Sequence, residues 1–415
     1  MATLVALGGM EQGSHAGIAT GANQAKYFDR IVGTAGTQVS VASGAARTGT
    51  YGLQINGTGA NAHAGFQNAG NNGILGSSGT LVASFWFRFQ TLPSNDFNIF
   101  IDIGTAGGND VFIKYLNSTG TLQGVFGSAT QLGPSISANT WYHVDLRAIH
   151  NANPHTLEWK VDGVDQTTVS LSVASENIFV AGFGNDAGGA QTGTVDIDDF
   201  AFSLTSGDYP LGKQKVVLLI PDTGGTAVQI GTANATGRMV TNSAIDATFN
   251  SANILAAISE LPPLIGASAT GVGQRTSGSG NAVGIPMTTY TLAGGETITG
   301  LRVVVCGWSG SATANNIGLR SFNGTTETIL FAAADPNFDN STTTPGWLCK
   351  MATAADFDTQ AELDALVVRY GYSTDISPLP GAHAIYAEVA VKEAAAAQSI
   401  APLSPTQRLL PALAS

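Results

Sequence analysis

Apolar and polar residues alternate with a period of two through the first two hundred positions, interrupted by short turn-forming clusters. In LVASFWFRFQ (81–90), Leu81, Ala83, Phe85, Phe87 and Phe89 fall on one face, and Ser84, Arg88 and Gln90 on the other with Val82 and Trp86. This predicts a strand with one face in a core. VFIKYL (111–116) and TLQGVF (121–126) flank Asn117, Ser118, Thr119 and Gly120, which predicts a hairpin through a glycine-containing loop. In TWYHVDLRA, Tyr142, Val144 and Leu146 alternate with His143, Asp145 and Arg147, and the polar three are expected to face water. Leu157, Trp159 and Val161 lead into Asp162-Gly163, a tight-hairpin signal because both residues tolerate positive φ. Thr167, Val169 and Leu171 return from it. In GTVDIDDFAFSL (193–204), Val195 and Ile197 share a face before the parity shifts to Phe200, Phe202 and Leu204. A one-residue shift at Asp198-Asp199 is what a β-bulge produces. Asp196 and Asp198, opposite the inward residues, are expected to face solvent or the shallow side of the sandwich.

SGDYPLG (206–212) is rich in turn formers and divides the chain. Beyond it, KVVLLIP, MTTYTL and TGLRVVVCGW read as strands, and IGLRSF-NG-TTETILF as a hairpin around Asn323-Gly324. The Gly/Ser-rich stretch 266–284 reads as a long loop. One helix is predicted: Thr359 caps it, Glu362 completes a capping box, Leu363, Leu366, Val367 and Tyr370 follow at helical spacing, and Gly371 ends it. HAIYAEVAVK (383–392) reads as a closing strand. The expected architecture is all-β, with two jelly-roll-like β-sandwiches, residues 1–207 and 208–394, the second carrying the short helix. Residues 395–415 form an Ala/Pro-rich extended tail.

Composition sharpens this picture. Only 11% of the 415 residues are charged and 52 are glycine, the texture of a protein with many strands and turns. A formal net charge of -12 leaves no basic stripe for phosphates, so no nucleic-acid partner is expected, nor an anionic membrane surface. No run approaches the roughly 18 apolar residues of a membrane-spanning helix, so no membrane insertion is expected. The start, MATLVALGGMEQGS, lacks the basic region of a secretory signal, which implies synthesis in a cytoplasm. Cys306, at the end of the apolar run LRVVVC, reads as a small buried hydrophobe rather than a partner for Cys349.

The order of elements in the first half, WYHVDL, then the EWKVDG hairpin, then VDIDDFAF, with ARTGTYGLQI (46–55) upstream, resembles concanavalin A-like (laminin-G-like) domains. The resumption as YPLGKQKVVLLIPDTGG and the later AIYAEV strand look like a group of tailed-bacteriophage virion proteins. The resemblance implies a minor tail or capsid-decoration protein on the virion surface, with other virion proteins as partners and a displayed lectin-like domain contacting host glycans. It also implies a structural Ca²⁺ held by Asp199 and by Glu11 of GGMEQG; the alternative is that these aspartates bond backbone amides around the bulge. Unpaired sheet edges and the apolar tail residues Leu409, Leu410 and Leu413 point to a homo-oligomer, a trimer being the expectation. A bacterial carbohydrate-binding or polysaccharide-cleaving protein is the competing reading.

Candidate chemistry is sparse. Retaining glycosidases of this fold need two carboxylates about 5 to 5.5 Å apart, on alternate positions of one strand. Glu11, Glu158 and Glu176 are the only glutamates of the first half, and none has a carboxylate two residues on, so no enzyme and no catalytic residue is expected. HNANPH sets His150 and His155 five apart, but no further ligand is evident nearby, and the pair reads as a surface loop. No Ser-His-Asp order or phosphate-binding glycine loop is present. Trp86, Trp141 and Trp159 could stack on sugar rings if exposed, yet each lies within an alternating run that packing explains as well.

Overall fold

The computed structural model describes residues 4–10, 28, 30–34, 37–57, 61–67, 75, 78–105, 108–185, 191–230, 237–241, 244–245, 255, 258, 271–274, 282–308, 317–331, 346–352, 354–372 and 381–394. The chain is nearly all β, as its alternation predicts. A first sheet runs Val164–Asp165, His155–Val161, Tyr142–Ile149, Thr80–Phe89, Thr194–Ser203, Gly52–Asn56, Val39–Ala42; Leu4–Gly8 pairs Thr194–Ser203, and Val169–Leu171 pairs His155–Val161. A second sheet, Ala129–Ser135, Thr121–Phe126, Val111–Leu116, Phe97–Gly104, Ile178–Asn185, Ala62–Gln67, Arg30–Val32, packs on it. Aromatic residues fill the space between them. Phe85 of the first sheet meets Phe183 and Phe100 of the second at 5.2 and 5.5 Å between ring centroids, in an edge-on and a stacked pair that add to plain area burial.

Two further sheets follow. One is built around Gly381–Lys392, flanked by Thr297–Trp308, Gln214–Leu219 and Gly271–Gln274; the other around Val367–Tyr372, flanked by Ala282–Pro286 and Ile317–Phe322. The two halves are joined by an apolar contact in which Leu4, Leu7, Val82 and Ala201 meet Leu211, Val216 and Ala390. The first sheet is therefore covered on both faces. That is why His143 and Asp145, expected in water, are buried. Asp196 and Asp198 are buried too, by first-half partners: Gln54, Arg88 and Gln90 around Asp196, and the backbone of Arg47 and Thr48 around Asp198.

Local signals are read correctly where the chain itself closes the structure. The hairpin 111–126 forms in the register Val111 to Phe126 and Leu116 to Thr121. Asp162 and Gly163 take φ of 52° and 86°, joining Val161 to Val164. The bulge forms where parity shifted: the register breaks between Asp198 and Ala201, and Asp199 adopts φ 50°. Asn323 turns the later hairpin, its side-chain oxygen accepting from the backbone N–H groups of Thr325 and Thr326. Both cysteines are free, with Cys306 buried.

Three expectations fail in the second half. The capping box of Thr359 and Glu362 forms, but the helix stops after one turn, Gln360–Asp364, and Val367–Tyr372 is a strand. Pairing on both sides, to Ile317–Phe322 and Ala282–Pro286, satisfies the Val367–Tyr372 backbone, and its Val-Val start suits a pleated surface. MTTYTL is not a strand: after the single bridge Met287 to Pro221, Leu292 N–H donates to the Gln360 side chain. The stretch read as one loop, 266–284, contains Gly271–Gln274 and the start of Ala282–Pro286. The tail, 395–415, and Glu11 lie outside the described residues.

Candidate functional site

At one end of the first sandwich, the chain leaving Thr80–Phe89 and the chain entering Thr194–Ser203 lie side by side and frame a groove. It has a volume of about 400 Å³ and is lined by Gln90 to Ser94 and Thr192 to Thr194. Its walls are held by short polar bonds: Ser94 Oγ and Thr192 Oγ1 are 2.7 Å apart, and Thr192 N–H and Oγ1–H both donate to Asn95 Oδ1 at 2.8 Å. Gln90 ties the groove to the covered face of the sheet by donating to Asp196 Oδ2 at 3.0 Å. Arg88 donates to the same oxygen through Nε and Nη2, and Gln54 to Oδ1. The Arg88 guanidinium also lies 4.8 Å from the centre of the half-buried Trp141 ring. Trp141 is thus the tryptophan of the three nearest to solvent. Trp86 is covered by Arg47 at 3.7 Å, and Trp159 is buried with its N–H donating to Thr167 O.

The bulge gathers a second polar cluster. Asp198 accepts from the N–H groups of Arg47, Thr48 and Asp199. Asp199 accepts from Arg47 Nη1 at 2.8 Å, Thr48 Oγ1 at 2.8 Å and Val216 N–H at 2.6 Å. Burial and the Asp199 charge push the Asp198 carboxyl well up, against the three N–H donors. Asp199 is also raised by burial, with Arg47 opposing. The structure therefore places Asp199 in bonds to the protein itself; it does not bring Glu11 into view, and the proposed calcium pair is left as an expectation.

A third group has the composition of a hydrolytic triad without its geometry. His143 Nε2 lies 2.8 Å from Ser84 Oγ, but His143 Nδ1 is 3.8 Å from Asp145 Oδ2, beyond hydrogen-bond reach. Ser84 Oγ–H donates to Gly212 O, and Gly212 N–H donates to Asp145, so the segment 209–216 seals the group. Burial first, then Lys213 and Arg47, holds His143 down to about 3, and burial pushes Asp145 up to about 6.

Residues 151–154 of the HNANPH loop are exposed as expected, but the two histidines that flank them turn inward. His150 and His155 are both 0% exposed, and Glu176 converges on them, all three offering donor atoms within 4.8 Å of one another. Burial would lower the His150 value, but Asp102 and Glu176 raise it overall. Sequence spacing missed this because Asp102 and Glu176 come from distant strand ends. The one local hint is Gly104: a Cβ there would collide with the Glu176 carboxylate, so a glycine makes the room.

No family model matches the sequence, and no curated protein matches it. Solved structures are similar in fold. A Trypanosoma rangeli sialidase is 15% identical, with a TM-score of 0.33, over 45% of this chain and 29% of its own. Domain 4 of an extracellular arabinanase from Geobacillus stearothermophilus, in complex with arabinotriose, is 17% identical with a TM-score of 0.32, over 49% of this chain and 95% of its own. An alginate lyase of polysaccharide lyase family 7 is 12% identical with a TM-score of 0.28, over 42% of this chain and 82% of its own. The chain spans less than a third of the sialidase's length. These neighbours are carbohydrate-active β-sandwich proteins, and none of them points to a phage particle. Against the expectation of a chain without enzymatic activity, the similar structures are enzymes or an enzyme's domain.

Proposed function

We propose that this is a carbohydrate-active protein whose first sandwich takes up a neutral glycan in the rim groove. The observation that carries the reading is the lining: a groove of about 400 Å³ lined by the hydroxyl residues Thr91, Ser94, Thr192 and Thr194 and by Gln90, with Leu92 and Pro93 as its apolar part. Such groups exchange hydrogen bonds with sugar hydroxyls, and apolar carbons pack on a sugar's C–H face. Among the described residues no lysine or arginine lines the groove, and the chain carries a net charge of -12, which favours a neutral chain over a polyanion. The carbohydrate-active neighbours agree with this reading at the level of class.

The test is calorimetric titration of the full chain with neutral arabinan, xylan and glucan oligosaccharides beside alginate and sialyllactose. A neutral oligosaccharide is expected to bind, and Gln90→Ala and Thr194→Val each to weaken it about tenfold. Assaying the same mixtures for new reducing ends decides whether uptake is followed by cleavage. Absence of binding to every neutral glycan, or unchanged affinity in both variants, removes the groove as the site.

A further inference from the structure

We propose that the end of the first sandwich opposite the groove is a zinc site, with His155, His150 Nδ1 and Glu176 as ligands and Asp102 orienting His150. His155 is the first reason. It is wholly buried, and neither ring nitrogen makes a hydrogen bond; the Ala174 carbonyl lies nearby but outside bonding geometry. A buried nitrogen without a partner is costly, and a metal accepting its lone pair relieves that cost.

His150 is the second. Its Nε2 lies 3.0 Å from Asp102 Oδ2, which leaves the Nδ1 lone pair facing Glu176 Oε1 at 3.8 Å. This is the carboxylate–histidine arrangement that fixes a ligand's tautomer and strengthens it as a donor. Charge is the third. Asp102, Asp110 and Glu176 crowd together, and among the described residues no lysine or arginine forms an ion pair with Asp102 or Asp110. Oδ1 of Asp102 and Oδ1 of Asp110 are both buried without a hydrogen bond.

The backbone is already set for such a site. His150 N–H donates to Gly79 O at 2.7 Å, and Glu176 N–H to His150 O at 2.9 Å. Two imidazoles and one carboxylate suit Zn²⁺ and not a hard cation such as Ca²⁺, and the fourth position falls to water. Donor atoms within 4.8 Å must close to the roughly 3.4 Å edge of a zinc tetrahedron, a matter of side-chain rotation. The ion would staple the ends of the first sheet, at Ile149 and His155, to those of the second, at Gly104 and Ile178. Both cysteines lie in the other half, so no disulfide does this.

The full chain, stripped with a chelator and dialysed, is titrated with Zn²⁺ and separately with Co²⁺. Expected are one zinc per chain by mass spectrometry, a melting temperature raised by roughly 5 °C or more at saturation, and the visible absorption of tetrahedral Co²⁺. His155→Ala is expected to weaken zinc binding on the order of 100-fold and Asp102→Asn about tenfold, whereas His143→Gln keeps it. Should His155→Ala fail to fold, the cobalt spectrum of the unaltered chain decides. Coincident melting with and without zinc, no tetrahedral cobalt spectrum, or undiminished uptake by a folded His155→Ala variant overturns the proposal.

Discussion

His143 and Asp145 sit two residues apart on one strand face, under the segment 209–216, and burial shifts them in opposite senses. His143 is held at about 3 against an ordinary 6.5, so the folded state resists its protonation. On its own it contributes stability present above pH 6.5 and lost as pH falls toward 3. Asp145 sits at about 6 against an ordinary 3.8. On its own it contributes stability present below 3.8 and lost as pH rises through 6. Between pH 4 and 6 the unfolded chain holds a proton on His143 and the folded chain holds one on Asp145, so the two effects cancel. Removing one partner exposes the other. Asp145→Asn is expected to lose stability as pH is lowered from 6.5, and His143→Gln to lose it as pH is raised from 4 to 6, each by on the order of 1 kcal/mol per pH unit. Urea midpoints measured across this range check it; parallel slopes in the two variants would contradict the pairing.

The strand Thr194–Ser203 shows how one element links the halves of the chain. Its bulge turns Asp199 toward Arg47, Thr48 and Val216, while Arg47 also reaches Gln214 O and Glu393. Two other segments, at 47–48 and at Val216, therefore meet on this strand's two buried carboxylates, and Glu393 joins them through Arg47. Arg47→Met removes the guanidinium that lies over Trp86 and leaves Asp199 without its cation, and is expected to cost about 3–5 kcal/mol in chemical denaturation. A second element acts locally. Thr359→Ala removes one half of the capping box on a single helical turn, for an expected loss of about 1 kcal/mol. The same assay separates them, since a loss at Arg47 no larger than at Thr359 would mean the bulge cluster is solvated.

At the scale of the whole molecule, the contact of Leu4, Leu7, Val82 and Ala201 with Leu211, Val216 and Ala390 makes the halves one packed body. Neither half can lose this contact without exposing apolar surface and the polar groups sealed beneath it. The expected outcome is a single calorimetric transition for the full chain, split into two by Val216→Asp, which puts a charge into the contact. Two transitions in the unaltered chain would show the halves to be energetically independent.

The chain's alternation was enough to establish the all-β class, the hairpins at 111–126 and 161–164, and the bulge at Asp198-Asp199, because each depends on parity or on φ preferences within a few residues. It could not reveal that the outward face of Tyr142–Ile149 is covered, that Val367–Tyr372 pairs as a strand, or that Asp102 and Glu176 meet His150 and His155. Periodicity records which residues share a face, not what packs against it. Only the folding of distant segments onto one another decides whether a polar face meets water, a neighbouring sheet or a ligand.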